Sequence, residues 1–220
     1  MPLVAAQPAQ SNHNPPKDCP LCPRLQQFRE ANKLLYPDWH NGAVPAFGSL
    51  DAQVLMVGLA PGLKGANRTG RPFTGDYAGI IMYSALQKMG FAKGHYDARP
   101  DDGFELVNCR VTNAVRCVPP ENKPEPSEIK TCNSFLINEI ASMSHLKVIL
   151  SQGAISHNAV LKVFGHKPSA FKFGHAAEHA VSKGIMLIDS YHCSRYNVNT
   201  GRLTQEMFDR VVSRVKGILK

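Results

Sequence analysis

The stretch AQVLMVGLAPGLKGANRTGRPFTGDYAG, from Ala52 to Gly79, decides how the rest of the chain is read. Its first nine residues are an almost unbroken apolar run and predict a buried strand. From Gly58 onward it carries six glycines, two prolines and a single carboxylate, Asp76. The run AGIIMYSALQKMG that follows has helical spacing, which predicts a helix from about Tyr77 to Gly90. A buried strand, a glycine-rich loop and a helix together open an α/β unit.

Working outward, a helix is expected over Pro23 to Leu35 with Leu25, Phe28 and Leu34 on one face. FELVNCRVTNAVRC is strand-like, with Val107, Val111 and Val115 suited to a sheet, and leads into the proline-rich loop VPPENKPEPSE. A helix over Pro126 to Ser142 follows, with Ser127 as its expected cap. LKVILSQG and GIMLIDSYH supply two more strands, AISHNAVLKVFG and LTQEMFDRVVSRVKGIL two more helices, and Phe164 to Gly184 fits neither period. This alternation predicts an α/β three-layer sandwich: a central parallel β-sheet of about four strands flanked by helices. Residues 18–220 are expected to form one domain behind a flexible lead-in of residues 1–17. Ligands of such sheets sit beyond the carboxyl ends of the strands. The loop after Ala60, the segment around Asn113 and SYHCSRYN after Asp189 all fall there.

Lysines and arginines outnumber carboxylates by eight, which favours a polyanion such as nucleic acid as partner. There is no run of four basic residues and no apolar run long enough for a bilayer. The opening residues MPLVAAQPAQSNHNPPK do not read as a secretory signal. A soluble, cytoplasmic protein is expected, without membrane association.

The cysteines stand at 19, 22, 109, 117, 132 and 193. Cys19 and Cys22 form a C-x2-C pair, and with Cys117 and Cys132 they point to a metal or cluster site. Four thiolates suit zinc and a cubane iron–sulfur cluster about equally. Cys109, inside a strand pattern, reads as core. A Cys193–His192 nucleophilic pair is disfavoured, because neighbours on a strand point to opposite faces.

Taken together, GLAPGLKGANRTGRPFTGD, TNAVRCVPPENKP and YHCSRYNVNTGRLT, with cysteines at 19, 22, 117 and 132, resemble the family 5 (type b) uracil-DNA glycosylases of bacteria and archaea. The resemblance runs from about Cys19 to the last helix. It implies a glycosylase that flips a base out of DNA, double-stranded or single-stranded, and hydrolyses the N-glycosidic bond to leave an abasic site. It implies uracil as substrate, with hypoxanthine and xanthine as further deaminated bases. In that reading Asp76 stabilises the sugar cation and orients water, Asn113 reads the base edge, and His192 stabilises the departing base. Leu59, Ala60, Gly62 and Phe73 would line the base pocket, Phe73 by stacking. Asn67, Arg68, Ser194, Arg195 and Asn197 would contact DNA. The glycines would let backbone approach the base and its phosphates. Family 4 enzymes carry a carboxylate where this chain has Leu59, and other glycosylase families a proline where it has Cys193, so both departures point to family 5. The resemblance also implies a [4Fe–4S] cluster on Cys19, Cys22, Cys117 and Cys132, and a monomer acting at the nucleoid. Three competing readings remain: a lyase using Lys64 as amine nucleophile, a non-catalytic iron–sulfur or zinc binder of DNA or abasic sites, and for Asp76 a plain helix cap.

Overall fold

The apolar run after Ala52 becomes β1 (Val54–Gly58), buried along its whole length, in the computed structural model, which describes residues 13–220. The other strands in chain order are the two-residue β2 (Ala92–Lys93) and β3 (Glu105–Leu106), then β4 (Cys109–Asn113), β5 (Val148–Gln152), β6 (Glu178–Ser182) and β7 (Ile185–Ser190). The helices are α1 (Pro23–Leu35), α2 (Ala66–Thr69), α3 (Tyr77–Lys88), α4 (Pro126–Ser142), α5 (Ala154–Val163), α6 (Arg195–Asn199) and α7 (Gln205–Ile218). The central sheet has the order β4-β1-β5-β7-β6, with the first four strands parallel and β6 antiparallel at the edge. β2 and β3 form a separate hairpin.

Strand alternation makes the three layers. Val54, Met56, Val111, Leu150 and Ile188 pack with Met82 and Leu86 of α3 and with Phe208 and Val211 of α7. Leu55, Val57, Ile149 and Leu187 face the other way, onto Leu136 and Ile140 of α4 and Val160 and Val163 of α5. Each such side chain contributes about 1.5–3 kcal/mol by leaving water. The α/β three-layer architecture expected from the sequence is the one observed.

Several local expectations are corrected. The sheet has a fifth strand, β6, inside the Phe164–Gly184 stretch whose mixed residues hid it; only Val181 of that strand is buried. Val107 lies outside β4 and is 39% exposed, because Asn108 takes a left-handed φ of 51° and breaks the strand. On α1 the buried face is Leu25, Arg29 and Asn32, whereas Leu34 is 87% exposed. Ser127 does not cap α4: Pro126 already occupies the first helical position, so the cap falls on Glu125, which forms a reciprocal capping box with Glu128. Part of the expected lead-in, residues 1–12, lies outside the described residues. Its last residues join the body: the Asn14 side chain accepts from the Ala46 amide, and the Lys17 carbonyl accepts from the Ala43 amide.

Candidate active site

Beyond the carboxyl ends of β1, β4 and β7 lies a cavity of about 690 Å³. The loop after β1 contributes Leu59, Ala60, Gly62, Lys64, Phe73 and Asp76; the end of β4 contributes Asn113; the segment after β7 contributes His192, Ser194 and Arg195. The three stretches singled out in the sequence therefore meet in one place. Parallel pairing explains the meeting, since register puts Asn113 beside Gly58 at the same edge of the sheet.

The glycines have a more specific role than backbone approach alone. A Cβ on Gly62 or Gly65 would overlap the Asp76 carboxylate, one on Gly58 would overlap Asn113 Oδ1 and the Phe73 ring, and one on Gly79 would strike the Phe73 carbonyl. These residues are small because the site's side chains occupy the space a Cβ would take. Phe73 itself sits at a left-handed φ of 59°, a conformation that a bulky residue holds only where its surroundings fix it. Arg71 does the fixing. Its guanidinium pairs with both oxygens of Asp102 at 2.8 Å, and its Nε donates to Thr74 Oγ1 at 2.7 Å, across the turn that carries Phe73. Burial alone would raise the Asp102 pKa, but Arg71 and the amides of Asp97 and Phe104 hold it well below the usual carboxylate range.

Asp76 occupies the cap position of α3, yet its side chain makes no cap bond to that helix. It turns instead to accept from the Ala66 amide at 3.1 Å. Burial pushes its pKa up, against the lowering effect of the Ala66 and Gly62 amides and the Arg68 charge. Asn113 is 3% exposed, and among the described residues its side-chain amide has no protein partner, so donor and acceptor both remain for a ligand. The His192 ring is likewise unbonded, 6.4 Å from the Phe73 ring between centroids and tilted from it by 27°. Burial drives its pKa down to about 4, so it faces the cavity as a neutral imidazole. Cys193 points into the core, fully buried, which separates it from His192 as strand alternation requires. Cys109 is also core.

The residues read as DNA contacts divide. Arg68 and Arg195 are exposed, and the Arg195 guanidinium lies over the Tyr77 ring at 5.2 Å. Ser194 lines the cavity and caps α6 by accepting from the Asn197 amide. The Asn197 side chain donates to the His192 carbonyl at 2.9 Å, placing it behind the histidine. Asn67 is a correction: it is fully buried, donates to Asn41 Oδ1, and cannot reach a duplex at the surface. Sequence reading missed Tyr77 and Asn122 as cavity residues. Tyr77 was signalled only by its place after Asp76; Asn122 reaches the site from the proline-rich loop, inside the motif TNAVRCVPPENKP, which was read only for Asn113 and Cys117.

Cys19, Cys22, Cys117 and Cys132 line a second, small hollow between α1 and the start of α4. Burial, with Cys117 adding to it, lifts the Cys22 thiol to about 11, and burial lifts Cys132 to about 12. Arg29 Nη1 donates to Cys117 Sγ at 2.9 Å and the Arg116 amide to Cys132 Sγ at 3.3 Å. Elsewhere, behind β7, Asp189 gathers His157 at 2.8 Å, His179 at 3.3 Å and Ser151 at 2.6 Å. The second nitrogen of His157 faces the Phe171 carbonyl, so both ring nitrogens meet acceptors, an arrangement that favours the protonated ring.

Comparison with known proteins agrees with this geometry. The family model described as the uracil DNA glycosylase superfamily matches residues 45–216. A type-5 uracil-DNA glycosylase of Thermus thermophilus is 41% identical over 204 residues, covering 90% of this chain and 92% of that protein. One from Pyrobaculum aerophilum is 39% identical over 201 residues, 90% of this chain and 87% of its own length. A type-4 uracil-DNA glycosylase of the same organism is 31% identical over 159 residues, 72% of this chain and 67% of that protein. With the motifs assembled at one edge of the sheet and relatives matched along most of its length, the chain belongs to the uracil DNA glycosylase superfamily.

Proposed function

We propose that this protein hydrolyses the N-glycosidic bond of uracil in DNA and leaves an abasic site. The observation that carries the reading is the single cavity in which Asp76, Asn113, His192 and Phe73 converge. Departure of a base builds positive charge on the sugar and negative charge on the base. Asp76, oriented by the Ala66 amide, supplies a fixed negative charge for the first and an acceptor that positions water. Neutral His192 supplies an N–H toward the base oxygen, where the leaving charge collects, and the unpartnered Asn113 amide offers donor and acceptor to the base edge. Phe73 supplies a flat apolar face. Because Asn113 is an amide, able to pair with more than one base edge, the same site accommodates hypoxanthine and xanthine.

The cysteine hollow fits a four-thiolate cofactor. Four thiolates drawn from the N-terminal pair and from Cys117 and Cys132 suit zinc and a [4Fe–4S] cluster alike on chemistry, and the cluster is the reading adopted. Cys19, Cys22, Cys117 and Cys132 would hold it, and when bound it supplies cross-linking of the N-terminal segment to the loop after Cys117.

Incubation with duplexes carrying uracil, hypoxanthine or xanthine, followed by alkaline cleavage, tests the reaction and ranks the bases. Lys64 in the cavity gives a lyase reading a specific basis. Borohydride trapping on uracil DNA separates the two, because only an amine nucleophile leaves a covalent adduct.

A further inference from the structure

Among the described residues four arginines are buried: Arg29, Arg71, Arg110 and Arg116. Three of them face carboxylates, Arg71 on Asp102, and Arg110 and Arg116 both on Glu139. Arg29 is different. It is 1% exposed, and among the described residues no carboxylate oxygen lies within 4.0 Å of its guanidinium. Its Nη1 donates to Cys117 Sγ and its Nη2 to the Cys19 carbonyl, each at 2.9 Å, while its Nε is buried without a partner. It stands seven residues after Cys22 on α1, and with Leu25 it lines the cysteine hollow. A buried guanidinium costs several kcal/mol unless an anion answers it. The group able to carry negative charge that its guanidinium touches directly is the Cys117 sulfur.

Resting on the cluster reading above, we propose that Arg29 is the counter-ion of the cysteine-bound cluster and sets its reduction potential. A cluster held by four thiolates carries net negative charge, and entry of one electron adds another without any proton or leaving group moving. A fixed cation donating an N–H to one of the ligand sulfurs favours the more negative state, so it raises the potential. Arg29 is therefore a positioning and tuning residue, away from the cavity that holds the base.

The test is film voltammetry of the cluster-loaded full chain, comparing wild type with Arg29→Met and Arg29→Lys. Met keeps much of the length and removes the charge; Lys keeps the charge and removes the two-pronged geometry. The expected result is a potential shifted negative in Arg29→Met, with Arg29→Lys between it and the wild type. An iron-loaded Arg29→Met with an unchanged potential overturns the proposal. If Arg29→Met folds without iron, the rate at which a chelator strips iron from Arg29→Lys decides. Loss no more than several-fold faster than wild type, with the iron initially present, supports a charge role, while much faster loss or complete failure of Arg29→Lys to hold iron shows that shape and not charge matters and overturns it. A wild-type protein that carries zinc and shows no absorbance near about 400 nm removes the cluster reading and this proposal together, an outcome distinct from the unchanged potential.

Discussion

Asp76 holds its carboxylate in a slot that glycines keep open, and burial raises its pKa while neighbouring amides hold its orientation. In the proposed role it acts when ionised, so kcat/KM should decline on acidification at a pH above the ordinary aspartate value. His192, pushed down to about 4, stays neutral across the working range and should add no second limb between about pH 5 and 8. A pH–rate profile checks both statements. The sign for stability is opposite: a raised folded-state pKa means stability is present at low pH and lost as pH rises through it. Asp76→Asn should therefore melt higher than wild type at neutral pH while losing about 10²–10⁴-fold in kcat. Gly65→Ala should cost about 10²–10³-fold in kcat with the fold intact, because its methyl group takes the place of the carboxylate. The residue types of this site were legible in the sequence, since a lone acid among glycines is unusual chemistry. The reason for the glycines was not, because the atoms they avoid belong to Phe73, Asp76 and Asn113, the last of these far away in the chain. Asn67 shows the converse: an exposed-looking polar residue in the same motif is wholly interior.

At the scale of elements, β7 delivers His192 to the cavity and its far side carries the Asp189 cluster. Burial alone would lower the His157 pKa, but the hydrogen bond and charge of Asp189 raise it above the ordinary histidine value of 6.5. The stability this contributes is complete below about that value and is lost as pH rises through the folded pKa. Replacing His157 by Gln leaves Asp189 buried with only Ser151 and His179, and should cost about 3–5 kcal/mol at pH 6 and flatten the pH dependence, as thermal melts at pH 6 and 8.5 would show. Apolar runs made β1, β5 and β7 readable, because parallel strands buried on both faces leave little choice of residue, whereas β4 (CRVTN) was placed by spaced valines and keeps its Arg110, Thr112 and Asn113 buried. β6 was not readable: an edge strand with one fully buried side chain carries no such run. The α1 face was misassigned for a related reason. The face turned inward bears Arg29 because it meets sulfur, and hydrophobic periodicity does not see that partner.

For the whole molecule, the excess of eight positive charges acts at long range, and Lys64, Arg68 and Arg195 place part of it around the cavity. Binding to duplex DNA should weaken steeply with salt, and Arg68→Ala or Arg195→Ala should each reduce the slope of log K against log[salt] by about 1. Among the described residues no helix is long and apolar enough to cross a membrane. The central claim is that Asp76, Asn113 and His192 in one cavity make this chain a hydrolytic glycosylase. The measurement that tests it most directly is single-turnover excision of uracil from a duplex by wild type and by Asp76→Ala at matched DNA affinity. Abasic product from the wild type, with a rate at least about 10²-fold lower in the variant, is the predicted result. Tight binding to the uracil duplex with no abasic product, or equal rates for the two proteins, would contradict it.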